Sequence, residues 1–224
     1  GKAALYTNTG SGDNTAVGFQ ALYTSAGARN TALGHNALFN NTTADNNVAV
    51  GKDALEANTT GTQNVAVGTY ALDANTTSSN GTAIGYAVLT TSTGANNTGI
   101  GASALNACTT GNANSAIGLN ALVACTTGAS NTAMGLGALE AVTTSDNNVA
   151  LGRDAGASVT TGANNIFIGR DAGITGSPGG SITTGSNEIV LGDENITEAH
   201  IQVDWTVVSD KRDKTDVEPM EMGL

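Results

Sequence analysis

A serine, an arginine, two lysines and two aspartates crowd into residues 209–214 of a 224-residue chain in which only 12% of residues are charged. The stretch reads VVSDKRDKT, from Val207 to Thr215. A serine hydroxyl becomes a nucleophile only when a base takes its proton, and a lysine is such a base once burial lowers its pKa. The residue types that nucleophilic chemistry needs are therefore present near the C-terminal end.

Other reactive groups are sparse. Cys108 and Cys125 occupy the same place in consecutive repeats, 17 residues apart. They read as two small packing residues, since parallel neighbours rarely suit disulfide geometry. Arg153 and Asp154 recur as Arg170 and Asp171, which reads as a surface charge ladder rather than an ion site. Tyr6, Phe19, Tyr23 and Phe39 could stack on sugar rings, but coil packing is the plainer reading. Trp205 is expected to anchor the end of the structure. Glycoside hydrolysis needs a carboxylate pair in a cleft, and the acidic residues here are scattered over turns. No cofactor or metal motif stands out.

Composition narrows the partners. The net charge is −11, and nucleic-acid binding requires clustered lysine and arginine. No apolar run approaches the ~20 residues of a membrane span. No secretory signal is visible, and because residue 1 is Gly the chain is expected to be a piece of a longer one. Aromatics are 4% of residues and glycines number 30, which points to many short strands and turns built from small side chains.

What positions these residues is a repeat. NTAVGFQAL from Asn14 returns as NTALGHNAL, NVAVGKDAL, NVAVGTYAL, NSAIGLNAL and NTAMGLGAL. Its glycine recurs at 18, 34, 51, 68, 85, 101, 118, 135, 152 and 169, with a last copy at Gly192. Asn, Thr and Gly are poor helix formers, and 16–17 residues is too short for a helix-pair repeat. The expected fold is all-β: a parallel β-solenoid or β-roll of about eleven coils, each with two short strands and two turns, stacked at ~4.8 Å.

Side chains alternate along a strand. The residue before each glycine, which is Val, Leu, Ile or Met, and the residue two earlier share one face, expected to fill the coil. The residue between them is Ala in most copies, with Gly99, Phe167 and Val190 as the others. That column is never polar and is expected to meet another chain, so an elongated homotrimer is anticipated. TTG at 59–61, 109–111, 126–128, 160–162 and 183–185 is expected to form threonine ladders. The Asn four before the glycine, in nine of eleven copies, is expected to ladder its amide or cap a turn. GSPGGS at 176–181 should loop out.

The repeat resembles the NSVAIG-type repeats of trimeric autotransporter adhesin heads, which are trimeric parallel β-rolls. Similar repeats, including NNIFIGRDAG, occur in bacteriophage tail fibres. SDKRDKTDVEPMEMGL, residues 209–224, resembles the start of the C-terminal intramolecular chaperone domain of phage tail fibres, tailspikes and neck appendages. The matching positions are Ser209, Asp210, Arg212, Lys214, Pro219, Gly223 and Leu224.

That resemblance implies self-cleavage between Val208 and Ser209, with Ser209 as nucleophile, Lys214 as base, and Asp210 and Arg212 supporting the geometry. The family's chaperone domain continues well beyond the point where this sequence ends, so the enzymatic capacity would be latent here. The resulting division is a repeat rod over 1–192, a closing strand and linker over 193–208, and the beginning of the chaperone over 209–224. The implied function is the shaft or tip of a trimeric tail fibre on a virion. Its partners would be itself, other tail proteins and a host cell-surface receptor, a glycan being one candidate; nucleic acid and membrane insertion are not expected. The alternative is an adhesin head on a bacterial cell surface.

Overall fold

The structure, a computed structural model, describes residues 1–9, 12–198 and 200. Each repeat contributes one three-residue strand to a parallel sheet. The strands are β2 (Thr15–Val17), β4 (Thr31–Leu33), β5 (Val48–Val50), β6 (Val65–Val67), β7 (Thr82–Ile84), β8 (Thr98–Ile100), β9 (Ser115–Ile117), β10 (Thr132–Met134), β11 (Val149–Leu151), β12 (Ile166–Ile168) and β13 (Ile189–Leu191). They form one eleven-stranded sheet in chain order. Each pairs in register with the next coil, as in Ala116 opposite Ala133 and Met134 opposite Leu151. The architecture is the expected all-β solenoid.

The coil is simpler than anticipated. Among the described residues a second strand per coil occurs only near the start, where β1 (Thr7–Asn8) pairs with β3 (Thr24–Ser25). Elsewhere that wall is made of turns which still bond from coil to coil. Thr59 N donates to Thr76 O at 2.8 Å, and the Thr59 hydroxyl donates to the same carbonyl at 2.9 Å. The threonine ladder therefore exists, with backbone carbonyls as its acceptors. It continues through Thr109, Thr126 and Thr160.

The two strand faces are the reverse of the sequence expectation. The alanine column lies inside the coil: Ala32, Ala49, Ala66, Ala83, Ala116 and Ala150 are fully buried within one chain. The column preceding the glycine points out: Val17, Leu33, Ile117, Met134 and Leu151 are all exposed. The cause is a leucine outside the strand. Leu22, Leu38, Leu55, Leu105, Leu122 and Leu139, four residues after their glycines, are fully buried. A coil this narrow has little room opposite the strand. Leu takes it from the turn side, and only Ala fits opposite.

Leu reaches the interior through an unusual backbone. In GxxAL the residues two and four after the glycine have positive φ, as in Asp53 (56°) and Leu55 (51°). The alternation sends successive amides to opposite neighbours: Asp53 N donates to His35 O of the preceding coil at 2.9 Å, and Leu55 N to Ala71 O of the following coil at 3.0 Å. Left-handed geometry costs an L-residue roughly 1–2 kcal/mol. Two such positions per turn cost roughly 2–4 kcal/mol; full burial of a leucine contributes about 1.5–3 kcal/mol, and the bonds that the two amides make to neighbouring coils offset the rest. The repeating glycine is required for two reasons: Gly101 has φ of 117°, and a Cβ there would stand 2.7 Å from the Gly118 carbonyl.

The asparagine ladder matches expectation. Asn131 N donates to Asn114 Oδ1 at 2.9 Å, while the Asn131 amide donates to Ser145 O at 2.8 Å. Asn114, Asn131, Asn148 and Asn165 are fully buried. A second interior ladder, Asn41–Asn58–Asn75, joins them through side-chain amides at 3.2 and 3.0 Å. Near the end the loop of 176–181 closes as Ile182 N donates to Gly173 O.

Candidate functional site

The groups the sequence singled out for nucleophilic chemistry, Ser209, Asp210, Arg212 and Lys214, lie outside the described residues, as does Trp205. Of the closing strand and linker expected over 193–208, residues 193–198 and 200 are described and form no strand; the rest lies outside the described residues.

Cys108 and Cys125 are buried free thiols on one interior column. Each sits 3.5 Å from a glycine carbonyl, Gly111 O and Gly128 O respectively. The neighbouring Cys108 and burial push the Cys125 thiol above its ordinary range, so it stays protonated and inert.

The aromatics are stacked on one another. Tyr6 lies 5.1 Å from Tyr23 with rings 9° from parallel, and Tyr23 lies 5.0 Å from Phe39. Phe19 stacks on His35 at 5.2 Å. A sugar platform needs an open ring face, and Tyr23 has Tyr6 on one face and Phe39 on the other. Coil packing therefore accounts for Tyr23, while Tyr6 and Phe19 stack on one neighbour each and stay exposed.

The charged residues form local pairs along one corner. Lys52 Nζ lies 2.6 Å from Asp53 Oδ2 and 2.9 Å from the Tyr70 hydroxyl. Arg153 lies 3.1 Å from Asp154, and Arg170 lies 2.7 Å from Asp171. The Arg170 guanidinium holds the Asp171 carboxyl below its usual range. Burial, helped by Asp53, pushes Glu56 and Asp73 up. Among the described residues no group of three His, Cys, Asp or Glu side chains could hold a metal ion. A groove near the start is lined by Thr7, Thr9, Thr24, Ser25, Ala26, Thr42 and Thr43, with no charged group converging on it.

What remains is the outer face of the sheet. Two columns of it, the residues one and three before each glycine, run Thr15/Val17, Thr31/Leu33, Val48/Val50, Val65/Val67, and so on to Ile189/Leu191. No charged side chain interrupts them in eleven strands. Beside them stands the column after the glycine, where Phe19, Tyr86, Leu119 and Leu136 are also exposed, Leu136 at 49%. At ~4.8 Å per strand and ~3.3 Å per residue, the strand columns cover roughly 50 Å by 10 Å. The column before the glycine is apolar in every strand, while the other is Thr or Ser in six of the eleven; exposed apolar surface of this extent is the kind that serves as an interaction site. Sequence alternation revealed this column but assigned it to the interior.

No helix among the described residues is long and apolar enough to cross a membrane. No family model matches the chain, and no curated protein or solved structure is found to be similar to it.

Proposed function

We propose that this chain is a shaft segment of an elongated homotrimeric fibre, a structural virion protein of the tail-fibre kind that helps carry contact to a host surface. The observation that supports it is the exposed apolar strip on a solenoid whose interior is already full. Each chain completes its own core through the Leu and Ala columns, so the strip is surplus to folding. Three copies arranged as a prism would turn their strips onto a common axis. Burying apolar surface at ~25 cal/mol per Å² makes such an arrangement strongly favourable. The remaining surface carries net negative charge, which suits a soluble fibre that does not self-adhere.

Maturation by a C-terminal chaperone, with a cut before Ser209, rests on the resemblance of residues 209–224. It fits the need of the rod: identical coils offer many wrong registers, and a temporary clamp removes them.

The test is sedimentation equilibrium of the chain at micromolar concentration. A trimer is expected, and a monomer would overturn the reading. Processing is checked on the longer natural chain, whose denatured mass should show a cut that Ser209→Ala abolishes.

A further inference from the structure

The column before the glycine cannot set the alignment of neighbouring chains, because a slide by one coil replaces Val, Leu, Ile or Met with another of the same kind. Its two margins differ from coil to coil. One margin is the residue after the glycine, which is basic at Lys52, Arg153 and Arg170 and acidic at Asp193 in the last coil. The other is the residue six before the glycine. Acids occur there twice, at Asp45 and Asp146. Asp45 shares its coil with Lys52, and Asp146 shares its coil with Arg153.

The turn does not need those charges. Asp146 Oδ1 accepts from Ala129 N at 2.7 Å, and Asp45 Oδ1 from Ala28 N at 2.7 Å. Elsewhere the same bond is made by Asn112 Oδ1 to Ala95 N and by Ser186 Oγ to Ala163 N. A neutral side chain serves as well. Asp146 is exposed and has no ion-pair partner among the described residues, while Asp45 has Arg29 at 3.5 Å. Within one chain the acid and the base of a coil stand on opposite sides of the strand, with β5 between Asp45 and Lys52 and β11 between Asp146 and Arg153.

From this we infer that the margins form an ionic register key between copies of this chain: Arg153 pairs with Asp146 of the next chain, and Lys52 with Asp45. The inference rests on the trimeric reading. In a three-fold ring the end of one strand meets the start of the next at the same height, a head-to-tail contact. Arg153 already has Asp154 and Asp171, at 3.1 and 3.5 Å, but its side chain is 53% exposed and a guanidinium has five donors. Lys52 keeps a third N–H beyond those facing Asp53 and Tyr70. A slide of one coil in one direction brings Asp146 to Arg170 but leaves Asp45 against Thr69. The opposite slide puts Asp146 against Leu136. Zero slide is the alignment that satisfies both levels.

The test uses the full chain in two double-cysteine forms under mild oxidation, read on non-reducing gels beside sedimentation of the same samples. Asp146→Cys/Arg153→Cys should close into covalent trimers. Asp45→Cys/Arg153→Cys, whose partners would lie six coils apart, should not. In parallel, Arg153→Asp should lower the melting temperature of the trimer, and the exchanged pair Asp146→Arg/Arg153→Asp should recover it. A trimer by sedimentation without same-level crosslinks overturns the key while the trimer stands. Crosslinks without recovery by the exchange overturn the ion pair. A monomer in sedimentation removes the trimeric reading itself.

Discussion

Phe167 fills the space that leucine occupies elsewhere in the rod, and Gly156 is its complement. A Cβ on Gly156 would lie 2.7 Å from Phe167 Cδ2 and 2.7 Å from Leu139 Cδ2. Gly173, one coil on, contacts the same ring from the other side. At this level the usual Ala has become Phe and the usual GxxAL has become GRDAG, so the large residue has moved from the turn to the strand. Val88 and Gly99 make a smaller version of the exchange: a Cβ on Gly99 would stand 2.5 Å from Val88 Cγ1. The core volume is held constant while its source changes, as close packing demands.

Phe167→Ala should therefore leave a cavity and cost about 3–5 kcal/mol. Gly156→Leu alone should also destabilise, by overpacking. Together the two substitutions should be less harmful than their sum, because the leucine refills what the ring vacated. Urea midpoints of the four chains check this, and simple additivity would contradict the shared cavity.

Adjacent residues on one strand should fail in different ways. Ala116 is fully buried in the coil, whereas Ile117 is 36% exposed on the strip. Ala116→Asp places an unpaired charge in the core and should abolish the folded state, seen as loss of the circular dichroism band and of cooperative melting. Ile117→Asp should leave the β signal in place and lower the oligomeric mass in sedimentation. Equal loss of β signal in both would mean the strip belongs to the core after all.

The repeat, its parallel stacking and its asparagine ladder could be read directly, because Gly18, Gly34, Gly51 and their successors fix the period and Asn recurs at one offset from them. The facing of the strand could not be read that way. Alternation groups Val48 with Val50 and separates Ala49, but it does not say which side is inside. The deciding residue, Leu55, lies outside the strand at φ of 51°, where propensity gives leucine no preference. The clue present was the near-constant AL pair: a fixed Leu needs a small partner, and the Ala column is the one small enough.

The buried ladder should be sensitive to loss of a single amide. Replacing Asn131 by Ala removes the acceptor of Asn148 N, at 3.0 Å, and the donor to Ser145 O, at 2.8 Å. Each buried group left unpaired costs about 1–3 kcal/mol. Asn131→Ala should thus be destabilised by several times as much as Asn40→Ala, an exposed asparagine without positive φ, when thermal unfolding is compared. Equal effects would mean that water replaces the lost bonds.

The corner around Asp53 should make stability depend on pH in a direction opposite to that of ordinary carboxylates. Burial raises Glu56 above 4.5 and Asp73 above 3.8, and the Asp53 charge pushes both further. A carboxyl whose folded pKa is raised binds its proton more tightly when folded. Its contribution is fully present below the unfolded pKa and is lost as pH rises through the folded one. Above the folded pKa values both groups are charged and unfavourable, beside a buried Asp53 oxygen that has no hydrogen-bond donor. Glu56→Gln/Asp73→Asn should therefore raise the melting temperature at pH 7 and have a smaller effect at pH 3, where the parent's carboxyls are themselves protonated. Melting curves across this range decide it: a gain of the same size at both pH values would show that proton binding at this corner is not linked to folding.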